Sequence, residues 1–215
     1  FKINEGSKEY EIETKLLGYP AVYSCLAAWA VGKELEVGEG KMIDRLKLIK
    51  PLKGRLSIEP GPMGTTLVND TLRANFASTI SGLKSFAEFQ GRKVAVLGEM
   101  GEIGEMGEEL HREVGKKVAE MKIDFLIGVG PLTKFIVEEA KKRGLEEAHW
   151  TKDVFEAAEI LKKVLRKGDL FFLKASLLRH IERIIYILQG KEVKCHETVC
   201  HNYKSCDTCS QSTKL

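Results

Sequence analysis

Asparagine and glutamine are scarce in this sequence, seven residues of 215 against 34 basic and 31 acidic ones, a profile typical of proteins from hot environments. Long apolar runs are missing, so no segment has the length of a membrane span, and the opening FKINEGSKEYEIE has no signal-peptide pattern. The expected compartment is the cytoplasm. Charge of one sign is missing too. The net charge is +3 with both signs interspersed, which argues against a nucleic-acid or membrane surface as partner. Before residue 195 there is one cysteine, Cys25, which sits in an apolar run and reads as a small core residue. The other four, Cys195, Cys200, Cys206 and Cys209, fall in the last 21 residues, so the cysteines mark a tail and no disulfide-stapled scaffold.

Phosphate loops are also lacking. GPMGTT (61–66) has no lysine where GxxxxGK[ST] needs one, and it precedes a strand instead of joining strand to helix. GEMGEIGEMGEE (98–109) follows a strand, yet its glycines recur every third residue, and Glu99, Glu102 and Glu105 would repel a pyrophosphate there. Glu105, Glu108 and Glu109 complement a helix dipole. Glu99 and Glu102 lie earlier, in the loop proper, where carboxylates could hold an amine or a cation.

What is present is a strand–helix alternation. Residues 9–17 alternate as a strand, and Pro20 opens a helix running to about Gly38. Before Pro51 these elements cannot enclose a core, so the segment reads as the end of something larger or as a piece packed on the main domain. From Gly54 strands are expected at 65–70, 92–98, 124–130 and 169–174, with a weaker one at 146–150. Helices between them carry apolar stripes at 3.6-residue spacing, among them Met106–Leu110–Val114–Val118 and Leu177–Ile181–Ile184–Leu188, and one helix spans Pro131–Arg143. Near-continuous apolar strands imply a sheet covered on both faces. The expected fold is a doubly wound α/β domain with a mostly parallel sheet, over roughly 54–190. Ligands of such sheets bind beyond the carboxyl ends of the strands, which directs attention to the loops starting at Asn69, Gly98, Gly130 and Lys174.

At those ends stand Asn69, Asp70, Arg73 and Asn75, which read as ligand contacts or as turn formers and caps. Lys174 ends a strand, and Ser176 occupies a helix N-cap position. His111 and His180 flank apolar stripes and read as satisfied boundary residues.

Taken in order, GRL (54–56), NDTLRAN (69–75), VAVLGEMGEIGE (94–105), HREVG (111–115) and GDLFFLKAS with LLRHIER (168–183) resemble the Mur ligases, and within them the MurF-like D-alanyl-D-alanine-adding enzymes. Their patterns are similar to GR, DDxYNANP, GDMxELG, HxxVG and GDxVLVKGSR. GYPAVYSCLAAWAVGKELEVG (18–38) resembles the helix that closes the family's central ATP-binding domain. The resemblance implies a three-domain ATP-dependent ligase that converts a carboxylate to an acyl phosphate, which an amine then attacks. Residues 1–52 would be the end of the central domain, 53–190 the Rossmann-like carboxy-terminal domain, and 191–215 a Cys-rich tail. The phosphate loop, magnesium ligands and carbamylated lysine would belong to the part of the central domain not in this chain, leaving no catalytic residue here and the chain inactive alone. By the matching motifs Arg55, Asp70 and Asn75 would contact ATP. Glu99, Glu102, Lys174 and Ser176 would line the pocket of the incoming nucleophile. The partners implied are small carboxylate and amine substrates and the rest of the ligase, with no nucleic acid or membrane.

The sequence departs from the family at Pro20, Ala21, Ser24, Leu72, Phe76, Ala77, Glu99, Ala175 and Leu177, so a substrate other than D-Ala-D-Ala is expected. Archaeal relatives such as coenzyme F430 synthetase and pseudomurein ligases are the comparison. A stand-alone binding or regulatory module is the alternative. The tail, outside the family pattern, has the spacing C-x4-C-x5-C-x2-C with His196 and His201 each following a cysteine. Cys206-x2-Cys209 suits half a zinc site, which Cys195 and Cys200, or a histidine in place of one of them, could complete. An iron–sulfur site, free thiols and disulfides are the alternatives.

Overall fold

Leu170–Lys174 (β8), an apolar run ending on a lysine, forms a central strand of the main sheet. The computed structural model describes residues 1–202 and 205–210. The sheet also contains β3 (Ser57–Pro60), β4 (Thr66–Asp70), β5 (Lys93–Gly98), β6 (Phe125–Val129) and β7 (Ala148–Thr151), in the order β3-β4-β8-β5-β6-β7. All pairings are parallel except β3 with β4. Alternation along the strands feeds two cores. Val94, Val96, Ile127, Phe171 and Leu173 point to one face, where α6 (Val154–Val164) and α7 (Arg183–Leu188) pack. Ala95, Leu97, Leu126 and Phe172 point to the other, under α3 (Phe76–Ala87), α4 (Gly107–Glu120) and α5 (Thr133–Lys142). Burying each Phe or Leu contributes about 1.5–3 kcal/mol, and helices on both faces make the sheet doubly wound, as the uninterrupted apolar runs require. No helix among the described residues is long and apolar enough to cross a membrane.

The chain separates into two units, Phe1–Leu52 and the part from Lys53 onward. In the first, a hairpin of β1 (Lys2–Glu5) and β2 (Lys8–Glu11) accompanies α1 (Tyr19–Glu34) and α2 (Glu39–Leu48) around Ile3, Ile12, Cys25, Trp29, Met42 and Leu46.

Four expectations need correction. The strand expected over 9–17 is confined to Lys8–Glu11, because the pairing partner, unrecognised in the sequence, is only four residues long. The helix expected to reach Gly38 stops at Glu34, where Glu36 turns left-handed and Val37 N–H bonds back to Gly32 O; Gly38 instead starts α2. The stripe through Met106 begins at Leu110, since Met106 sits exposed in a 3-10 turn ahead of α4. The last helix is not continuous: a 3-10 turn over Leu177–Arg179 ends at His180 in the left-handed region (φ 45°, ψ 46°), and α7 starts only at Arg183.

Candidate functional site

The carboxyl edge of the sheet gathers the polar residues that its apolar strands leave at their ends. β4 and β8 are in register with Asp70 opposite Lys174, and both side chains turn to the α3 side. Lys174 is 1% exposed; its Nζ donates to Asp70 Oδ2 at 2.5 Å and to Arg73 O at 2.8 Å. Asp70 Oδ1 accepts from Leu56 N at 3.2 Å, which ties the Arg55 segment to the strand ends and leaves Arg55 itself exposed. Burial lowers the Lys174 pKa, opposed by the Asp70 carboxylate. Gly82 of α3 permits this: a Cβ there would lie 3.1 Å from Asp70 Oδ2 and 3.2 Å from Phe172.

One strand over, Glu99 leaves β5 almost fully buried. Its Oε1 accepts from Leu132 N at 2.9 Å, and its Oε2 pairs with Arg179 at 2.9 Å. Gly130, at φ +99°, passes beneath the carboxylate, and a Cβ there would stand 2.9 Å from Oε2. Ser176 N donates to Glu99 O at 3.1 Å, so the loops after β5 and β8 are joined. Ser176 precedes the 3-10 turn but makes no side-chain cap. Glu102 is exposed, left-handed at φ 57°, and paired with Arg73 at 3.1 Å, and Gly101 N donates to Ala74 O. The crevice bounded by Glu99, Gly130, Pro131 and Arg179 measures about 20 Å³ and is walled on its far side by His196 and Thr198 of the tail.

All seven residues assigned to ATP or nucleophile contacts thus reach one edge of the sheet, with distinct local duties. Asp70 and Lys174 hold each other, and Asn75 caps α3, accepting from Ser78 N at 2.8 Å in a reciprocal capping box. Asn69 is a buried turn former: its Oδ1 accepts from Thr71 N and Oγ1. Sequence reasoning passed over Arg179, whose only sequence signal was its place in LLRHIER. It also took two histidines for boundary residues, and both are buried. His111 accepts from Met100 N through Nε2 and donates from Nδ1 to Gly107 O at 2.6 Å, a neutral tautomer whose pKa burial lowers.

His180 belongs with the tail. Its Nδ1 lies 2.8 Å from Glu182 Oε1, and its Nε2 lies 3.1 Å from Asn202 O. Bonds to Cys206 and to Glu182 raise its pKa to about 10. The tail is fastened to this region by Arg183, buried, which donates to Cys195 O (2.8 Å) and Glu197 O (2.7 Å), and by Cys200 N donating to Leu178 O. The four cysteines named from the sequence are not the group that converges here. Among the described residues, the ligating atoms that converge within 4.8 Å are those of His180, Glu182 and Cys206, and Cys195, Cys200 and Cys209 lie outside the group. All five cysteines are free thiols.

Residues 54–177 match the family model described as Mur ligase, glutamate ligase domain. The chain is 31% identical over 176 residues to the UDP-N-acetylmuramoyl-tripeptide–D-alanyl-D-alanine ligase of Bacillus subtilis (strain 168), covering 79% of this chain and 38% of that protein. Among solved structures it is similar to MurF from Acinetobacter baumannii, with a TM-score of 0.79 at 23% identity over 89% of this chain and 42% of that one. It is also similar to the MurF ligase from Thermotoga maritima in complex with ADP, with a TM-score of 0.72 at 22% identity over 85% and 41%. The chain spans about two fifths of the length of these relatives. With a family model covering more than half of its residues, the chain belongs to the Mur ligase family.

Proposed function

We propose that this chain is the carboxy-terminal portion of a MurF-like ATP-dependent carboxylate–amine ligase, in which the unit from Lys53 onward binds the incoming amine nucleophile and closes over ATP. The observation that carries this reading is the meeting, at one sheet edge, of the Glu99–Arg179 pair, its carboxylate buried and its guanidinium half-buried, with the buried Lys174–Asp70 pair. A carboxylate beside a guanidinium offers opposite charges for a zwitterionic amine substrate, and the Lys174–Asp70 tie fixes the strand ends that present it. Glu102 and Ser176 complete the rim on this reading.

ATP is the second substrate, and its γ-phosphoryl turns an unreactive carboxylate into an acyl phosphate that an amine can attack. The fit of the proposed ATP residues is uneven. Asp70 has both oxygens engaged within the fold, so it acts as a positioning residue behind Arg55. The exposed Arg55 guanidinium suits the phosphate or ribose, while Asn75 is engaged as the cap of α3. Magnesium and the phosphate loop belong, on this reading, to the remainder of the central domain, of which Phe1–Leu52 is the closing part. Support for that placement comes from α1, which exposes Tyr19 (77%) and Tyr23 (70%) together with Leu26 at helical spacing, a face suited to burial against a larger core.

The test is the complete ligase assayed for ATP hydrolysis against a panel of carboxylates and amines, D-alanyl-D-alanine included. ADP release that depends on both a carboxylate and an amine is expected. Arg55→Ala should raise the KM for ATP about tenfold, the scale of one charge-assisted contact, and the 215-residue chain alone should hydrolyse none. Turnover without amine dependence, or an unchanged KM in Arg55→Ala, would overturn the assignment.

A further inference from the structure

The tail and the segment before α7 contain a cluster that ligase chemistry does not use. His180 and Glu182 stand 26 and 24 residues before Cys206 in sequence, and all three are buried, with their imidazole, carboxylate and thiol within 4.8 Å of one another. His180 adopts a left-handed backbone (φ 45°) that breaks the expected helix. A non-glycine residue there is uncommon and persists only when its surroundings fix it. A second, independent sign is Glu182 Oε2, which is buried with no hydrogen-bond partner among the described residues. Leaving such an oxygen dry and unpaired is unfavourable, and more so when it is charged.

Two explanations compete. An imidazolium at His180, donating from Nδ1 to Glu182 Oε1 and from Nε2 to Asn202 O, satisfies the imidazole but leaves Oε2 unsatisfied. A divalent cation placed among the three side chains accounts for the orphan oxygen, for the convergence of nitrogen, oxygen and sulfur donors, and for the burial of all three. We propose that His180, Glu182 and Cys206 form the core of a metal site for a zinc-class ion. Mixed N, S and O donors select zinc over magnesium or calcium, which prefer oxygen alone. Tetrahedral bonds of about 2.0–2.3 Å set ligand atoms roughly 3.3–3.8 Å apart, so the cluster needs only a small contraction. Glu182 also borders a cavity of about 390 Å³ shared with Tyr186, Ser205 and Asp207, which gives an ion a way in. The ion would clamp residues from before α7 to the tail. The proposal stands apart from the ligase reading and survives or fails without it.

The experiment uses the 215-residue chain purified without added metal, followed by chelation and titration with Co²⁺ as a probe. About one zinc per chain is expected, and Co²⁺ should give thiolate charge-transfer absorption with tetrahedral visible bands. Cys206→Ser should abolish the charge-transfer band, and His180→Gln or Glu182→Gln should weaken binding at least tenfold. Cys195→Ser should change nothing, which separates this site from a four-cysteine one. Circular dichroism of each variant, checked against the unaltered chain, confirms that the α/β unit is folded. Protein that is folded yet binds neither zinc nor Co²⁺ overturns the proposal. So does binding that survives His180→Gln, or that is lost in folded Cys195→Ser. Should His180→Gln fail to fold, Glu182→Gln read by Co²⁺ absorption decides the question.

Discussion

Asp70 and Lys174 meet across neighbouring strands in a site where neither meets bulk water freely, and the consequence of removing one differs from that of removing both. Asp70→Ala strands a buried ammonium and should destabilise the unit by about 3–5 kcal/mol in urea unfolding. Pairing it with Lys174→Met removes the orphaned charge and should recover a large share of that loss, the interaction being read from the double-mutant cycle. His111 makes a pH prediction. Its folded-state pKa lies below the ordinary 6.5 because of burial, so the unfolded chain binds more protons as pH falls through 6.5. Stability contributed by the neutral ring is therefore complete above that pH, declines below it, and stops declining once the folded state is itself protonated. Glu99, which favours the charged ring, and Arg179, which opposes it, are the neighbours that face it. In urea midpoints measured from pH 8 down to about 5, His111→Gln should lose this part of the slope; an unchanged profile would assign the slope to other groups.

At the scale of elements, α4 and α5 approach through a single small residue. A Cβ on Gly115 would stand 2.3 Å from Ile136 O, a backbone atom that cannot step aside, so Gly115→Ala should cost about 3 kcal/mol or more through forced separation of the helices. Gly144, at φ +95° with nothing near its would-be Cβ, should cost only about 1 kcal/mol on change to Ala, through backbone strain alone. Thermal unfolding of the two variants distinguishes crowding from strain. The same scale shows what the residues disclosed in advance. β5, β6 and β8 are runs of apolar residues with both faces buried, so their type and place followed from hydrophobicity alone. β3 carries Pro60 and pairs antiparallel at the edge, where four residues give little periodic signal. The stripe Leu177–Ile181–Ile184–Leu188 kept helical spacing across a left-handed break at His180, which no pattern of apolar residues reports. For the site, strand ends were legible because chemistry-bearing residues follow apolar runs. The Asp70–Lys174 and Glu99–Arg179 pairs were not, because they depend on which strands lie side by side and on where a turn aims its side chain.

Across the whole molecule, the two cores beside the main sheet are built wholly from residues after Lys53, and the core of the first unit wholly from residues before Leu52. Residues 53–215 expressed alone should therefore unfold cooperatively in urea, with circular dichroism reporting one transition. Residues 1–52, with a core of six buried side chains, should show no cooperative transition by themselves. Loss of cooperativity in 53–215 would mean that the first unit is needed for its fold. The order of the sheet carries a further consequence for how the protein is made. β8, the last made of the six strands in this sheet, inserts between β4 and β5, which were synthesised far earlier. Until it arrives, the nascent chain holds two unpaired strand edges and two half-built apolar layers, the condition in which intermolecular strand pairing is most favoured. A chain that stalls anywhere before Leu170 is a substrate for chaperones or for aggregation, however long it already is.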